Sequence, residues 1–114
     1  MPVTVDTINE EIQDWIENDV PISPGVWLDR ALKMNSLLGR EHAALYILQE
    51  AIAQKRVALM EEGFTAAKAN IYAEALPEFK QMRQQKAKID QVQETIRLAK
   101  KQATLKADEW RGYG

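Results

Sequence analysis

The chain has 114 residues, 46% apolar and 28% charged, with a formal net charge of −2. This composition fits one folded domain and excludes a disordered chain. There is no cysteine, which excludes a disulfide framework and thiolate chemistry. The charge is uneven: residues 1–77 carry 6 Lys/Arg against 12 Asp/Glu, a balance of −6, and residues 78–114 carry 9 against 5, a balance of +4.

In chain order, Thr7 and Glu10 have the spacing of a capping box. Ile8, Ile12, Trp15, Ile16 and Val20 then recur at helical spacing, predicting a short amphipathic helix over 7–19. Its other side is acidic, and the first twenty residues hold Asp6, Glu10, Glu11, Asp14, Glu17 and Asp19 with no base. No apolar run reaches spanning length, and the N-terminus lacks the basic and apolar regions of a signal peptide. The expected location is cytoplasmic, with no membrane partner.

Pro21 to Gly25 breaks the first helix. Ser23 is the expected N-cap and Pro24 the first position of a second helix, where its missing N–H costs nothing. That helix is predicted over 24–62. Ala31, Leu38, Leu45, Ile52 and Leu59 repeat every seven residues, a heptad seam interrupted by Glu41 and Lys55. A second stripe (Leu37, Ala44, Ala51, Ala58) widens the apolar face, and Gly39 marks a candidate kink.

Gly63 reads as a C-cap and Thr65 as the next N-cap, opening an Ala-rich helix over 66–76. Pro77 ends that helix, leaves Leu76 outside the next one and starts the last helix, over 77–110. There Met82, Ile89, Ile96, Ala103 and Trp110 keep the seven-residue period, with Val92 and Ala99 between them. The fold class expected is all-α: a single domain built on a long antiparallel hairpin, with a frayed tail over 111–114. A two-helix hairpin has a thin core, so the first helix folding back and a second chain, in a homodimer, are the expected covers.

Catalytic chemistry has no foothold. His42 is the only histidine, and a metal site would need further ligands at helical spacing. The five glycines form no phosphate-binding loop, and adjacent acids such as Glu10–Glu11 and Glu61–Glu62 diverge on a helix. A non-enzyme without cofactor, metal or small-molecule substrate is expected.

Two groups are left as binding candidates. The first is basic, Arg83, Lys86, Arg97, Lys100, Lys101 and Lys106 in the last helix, and a stripe of this kind tracks a phosphate backbone. Its bland alternative is a charged exterior paired with Glu78, Asp90 and Glu94. The second is a set of interface candidates: Trp15 and Trp27 beside the Pro-rich break, Trp110 in register with the seam, Tyr113 in the tail, and the acids Asp14, Glu17 and Asp19.

Leu59-Met-Glu-Glu-Gly63, Thr65-Ala-Ala-Lys-Ala69, Pro77-Glu-Phe-Lys80, Lys88-Ile-Asp-Gln-Val92 and Ile96-Arg-Leu-Ala-Lys-Lys101-Gln-Ala-Thr-Leu105 follow one another in the second half. In that order, over residues 57–110, the chain resembles small uncharacterised α-helical hairpin proteins of tailed bacteriophages, often encoded near replication and recombination genes. The resemblance implies a context: an accessory protein of phage DNA metabolism that binds a recombination or replication protein, or DNA, through the last helix. Two other roles stay open. One is inhibition of a host defence or nuclease complex by the acidic first helix. The other is a virion assembly or scaffold component.

Overall fold

The computed structural model describes residues 3–112, the side chain of Trp110 excepted; Tyr113 lies outside the described residues. Among these residues the chain is all-α, with helices α1 (Val5–Glu17), α2 (Pro24–Glu61), α3 (Ala66–Glu74) and α4 (Pro77–Gly112) and no strand. The helices divide between two compact units, one of Met1–Gly39 with Asp90–Gly114 and the other of Arg40–Ile89.

The first helix begins earlier than the sequence pattern predicts. Its N-cap is Thr4, not Thr7: the Thr7 N–H donates to Thr4 Oγ1 at 3.3 Å and the Thr4 N–H donates to Thr7 Oγ1 at 3.0 Å. Thr7 thus takes the part usually played by Glu in a capping box. The earlier start adds Val5 to the apolar stripe, and Val5, Ile8 and Ile12 are buried while Ile16 stays 37% exposed. The stripe therefore sits one turn nearer the N-terminus than expected.

At its other end α1 closes through Asp19, which has φ +46°. The Val20 N–H donates to the Trp15 carbonyl at 3.0 Å and the Asp19 N–H to the Ile16 carbonyl at 3.4 Å. This is a Schellman termination with aspartate in the place usually held by glycine.

In the first unit, Trp27, Ala31, Met34 and Leu38 of α2 are buried, as are Val92, Thr95, Ile96 and Ala99 of α4. Each fully buried Ile or Met side chain contributes about 1.5–3 kcal/mol. Polar bonds tie α1 to both long helices: Arg30 Nε donates to Glu11 Oε1 at 3.0 Å, and Thr95 Oγ1 donates to Asn9 Oδ1 at 2.8 Å. The first helix folds back onto its own chain.

The second unit has a smaller core, of Leu45, Ile52 and Leu59 on α2, Ala69 and Ala73 on α3, and Ile89 on α4. Glu41, which interrupts the heptad, is met by α4. Its carboxylate lies 3.3 Å from Lys88 Nζ and accepts from Gln85 Nε2 at 2.8 Å. The acid in the seam is thereby partnered, which offsets the cost of partial burial. Lys55 points to solvent.

Gly63 (φ +102°) ends α2: its N–H donates to the Met60 carbonyl at 3.0 Å and the Phe64 N–H to the Leu59 carbonyl at 3.1 Å. Thr65 then caps α3 by accepting from the Lys68 N–H at 3.3 Å. The helix α3 stops at Glu74 with Ala75 as its C-cap, two residues short of its expected end, and the Leu76 carbonyl already accepts from the Phe79 N–H of the next helix at 3.1 Å. Gly39 leaves α2 unbroken, and α4 runs two residues past its expected end, through Gly112.

Candidate interaction surfaces

The basic candidates separate on inspection. Within the second unit, Arg83 and Lys86 are exposed, with the Arg83 guanidinium 5.4 Å from the Phe79 ring centroid. Within the first, Arg97 Nε donates to Glu94 at 3.0 Å and Lys106 Nζ lies 3.6 Å from Glu109. Both pairs run one turn along α4. The Arg97 hydrogen bond holds the Glu94 carboxyl below its ordinary pKa, and the same bond raises that of Arg97. Lys100 and Lys101 are exposed and hold no ion pair among the described residues. The expected stripe is therefore neutralised at Arg97 and Lys106 by acids of its own helix.

Lys100 also borders a groove of about 480 Å³ between the start of α2 and the end of α4. Leu28, Ala103 and Ala107 line it with apolar groups, and Asp108 and Arg111 line it as well.

The tryptophan candidates Trp15 and Trp27 meet edge to face with centroids 5.3 Å apart, a favourable aromatic geometry. Trp27 is buried and its Nε1 has no hydrogen-bond partner among the described residues; Trp15 is half-buried under Arg30, whose guanidinium carbon is 5.8 Å from the ring. The Glu11 hydrogen bond, ahead of the nearby charges of Glu11 and Asp29, raises the pKa of Arg30. This corner belongs to the packing of α1 on α2. Of the acids, Asp14 accepts from Asn18 Nδ2 at 2.7 Å and finishes the helix, Asp19 supplies the turn, and Glu17 is exposed. The side chain of Trp110 and all of Tyr113 lie outside the described residues.

The most prominent surface was not among the sequence candidates. On α2 within the second unit, Tyr46, Ile47, Val57 and Met60 are 64%, 68%, 55% and 50% exposed. On α3, Ile71 and Tyr72 are 66% and 51% exposed, with Tyr72 edge to face against Phe64 at 5.3 Å. By contrast, the stripe expected to widen the seam is only partly covered: Leu37 and Ala51 are half-buried, Ala44 and Ala58 exposed. The signal that could have found the outer surface is a second heptad, Ala43, Tyr46, Ala53, Val57 and Met60, running beside the first.

His42 stacks on Tyr46 with centroids 6.4 Å apart. Among the described residues no three His, Asp or Glu side chains are grouped to hold a metal ion, and no helix is long and apolar enough to cross a membrane. No protein-family model, curated protein or solved structure matches this chain.

Proposed function

We propose that this chain is a non-enzymatic, oligomeric accessory protein of phage DNA metabolism. Built as an antiparallel helical hairpin, it docks a recombination or replication protein on its helical surface. The observation that carries the reading is the set of exposed apolar side chains Ile47 on α2 and Ile71 and Tyr72 on α3, all more than half exposed. Large exposed apolar side chains recurring along a helix are candidates for protein contact. The phage context rests on the resemblance over residues 57–110.

The test is binding to purified single-strand binding protein and recombinase, comparing the wild type with a variant carrying Ile71→Glu and Tyr72→Glu. Both side chains are exposed, so helicity should persist while binding falls at least tenfold. Equal binding by the variant removes α3 from the reading. A second reading, direct contact with nucleic acid, is supported by the exposed Lys86, Lys100 and Lys101. It requires oligonucleotide binding that weakens steeply with salt and is lost in Lys100→Ala with Lys101→Ala.

A further inference from the structure

The outer side of α2 carries its own heptad. Ala43, Glu50 and Val57 stand seven residues apart, and Tyr46, Ala53 and Met60 form the alternate set three residues on. All six are exposed. Ala43, Glu50 and Val57 lie about 150° round the helix from the buried Leu45, Ile52 and Leu59, and Tyr46, Ala53 and Met60 about 100° round. A 3.5-residue period is how one helix receives another, because it keeps a single seam facing the partner over several turns. The occupant this surface fits is therefore a helix.

Resting on the reading of this surface as a docking site, we infer that the helix is α2 of a second copy, paired antiparallel about a twofold axis between residues 51 and 52. In that register Ala43 faces Met60 of the second copy, Tyr46 faces Val57, and Glu50 faces Ala53. Each layer then sets a smaller side chain against a larger one, the arrangement that fills a seam without voids. The pairing is isologous, each contact occurring twice, as a twofold dimer demands.

Charge selects the direction. A parallel pairing stacks Glu50 on its own copy, two like charges in one layer. The antiparallel one leaves each Glu50 opposite an alanine, where it keeps the hydrogen bond it accepts from Gln54 Nε2 at 3.3 Å. The flanking residues nearest the axis are Gln49 and Gln54, both uncharged. The paired stretch from Ala43 to Met60 spans about 27 Å at 1.5 Å per residue.

The whole chain tests this directly. Light scattering across a dilution series should give a mass approaching twice 13.0 kDa. Tyr46→Glu with Val57→Glu should halve it without loss of helical circular dichroism. Because the chain has no cysteine, register is read by oxidising a mixture of Glu50→Cys and Ala53→Cys proteins, which should form the mixed disulfide in excess over either self-pair. A monomer at the highest soluble concentration overturns the pairing, as does a dimer unaffected by the two glutamates. Preferential self-linking of Glu50→Cys overturns it in favour of a parallel pair. The docking reading is judged separately by partner binding. A monomeric wild type that captures the recombination protein removes only the self-pairing, and a dimer that captures no partner removes only the accessory role.

Discussion

Thr95 Oγ1 lies 2.8 Å from Asn9 Oδ1, joining a side chain that is 1% exposed on α4 to one near the start of α1. The same hydroxyl is 3.0 Å from the Gln91 carbonyl and receives Gln13 Nε2 at 3.5 Å. Asn9 and Gln13 are one helical turn apart, so a single buried hydroxyl reads two positions of α1 and sets where that helix sits along α4. A threonine hydroxyl has one proton and two lone pairs; donating to Asn9 while accepting from Gln13 uses it well.

Replacing that hydroxyl by a methyl group preserves shape and removes the bonds. Thr95→Val should destabilise the chain by about 1–2 kcal/mol, since the half-buried amides of Asn9 and Gln13 lose their partner. Urea unfolding followed by circular dichroism measures it. A variant as stable as the wild type would show that water satisfies both amides equally well.

The same substitution should act with opposite sign at two glycines. Among the described residues nothing lies within 4 Å of a Cβ placed at Gly39 or at Gly63, so neither change clashes. Gly39 is inside α2, and Gly39→Ala should stabilise by about 0.5–1 kcal/mol through helix propensity. At Gly63 the positive φ of 102° forces an alanine into a left-handed conformation, costing about 1–2 kcal/mol. Thermal unfolding of the two variants gives the contrast.

Asp19 is the mirror case, a side chain held at φ +46° where glycine is at ease. Asp19→Gly should raise stability by about 0.5–1 kcal/mol, because the Schellman bonds of Val20 and Asp19 use backbone atoms alone. A loss of partner binding on that change, with stability raised, would give the Asp19 carboxylate a function apart from the turn.

Arg30 joins three groups: Glu11 at 3.0 Å, Asp29 at 2.8 Å, and the face of Trp15. Arg30→Met keeps much of the stem's apolar contact and should cost about 1 kcal/mol, from one partly covered ion pair and one cation–π contact. Arg30→Lys should not restore it, because a point ammonium cannot reproduce the planar fork. Unfolding monitored by tryptophan fluorescence reads the corner directly.

Glu94 carries the acid-side pH dependence of its pair with Arg97. Its folded pKa lies below the ordinary glutamate value. Its contribution is therefore complete above the unfolded pKa and disappears as pH falls through the lowered folded one. Carboxyl NMR titration should place the Glu94 midpoint below that of free glutamate, and Arg97→Gln should raise it. The urea midpoint near neutrality should barely move, because the pair is solvent-exposed and salt-screened.

Much of this fold is legible in the residue order because helices are local structures. The buried set Ala31, Leu38, Leu45, Ile52 and Leu59 is the heptad seam itself, since a seven-residue period puts these positions on one side whatever they pack against. Gly63, Thr65 and Pro77 mark their boundaries because they alter φ, capping or donor supply at single residues. The start of α1 is ambiguous in the residue order because Thr4 and Thr7 are both acceptable caps. Only the burial of Val5 decides between them.

What the sequence by itself determined was helix identity, the breaks, and the inward sides of the two long helices, all consequences of backbone geometry and spacing. What only the tertiary structure decided was which apolar and charged residues have partners. Glu41 is met by Lys88 and Gln85, and Thr95 by Asn9, while Tyr46, Ile47, Val57 and Ile71 stay more than half exposed. Periodicity says that a residue shares a side with another. Whether that side is occupied depends on where distant segments of the chain come to rest, and so the basic stripe of α4 is legible in the sequence while the uncovered side of α2 is not.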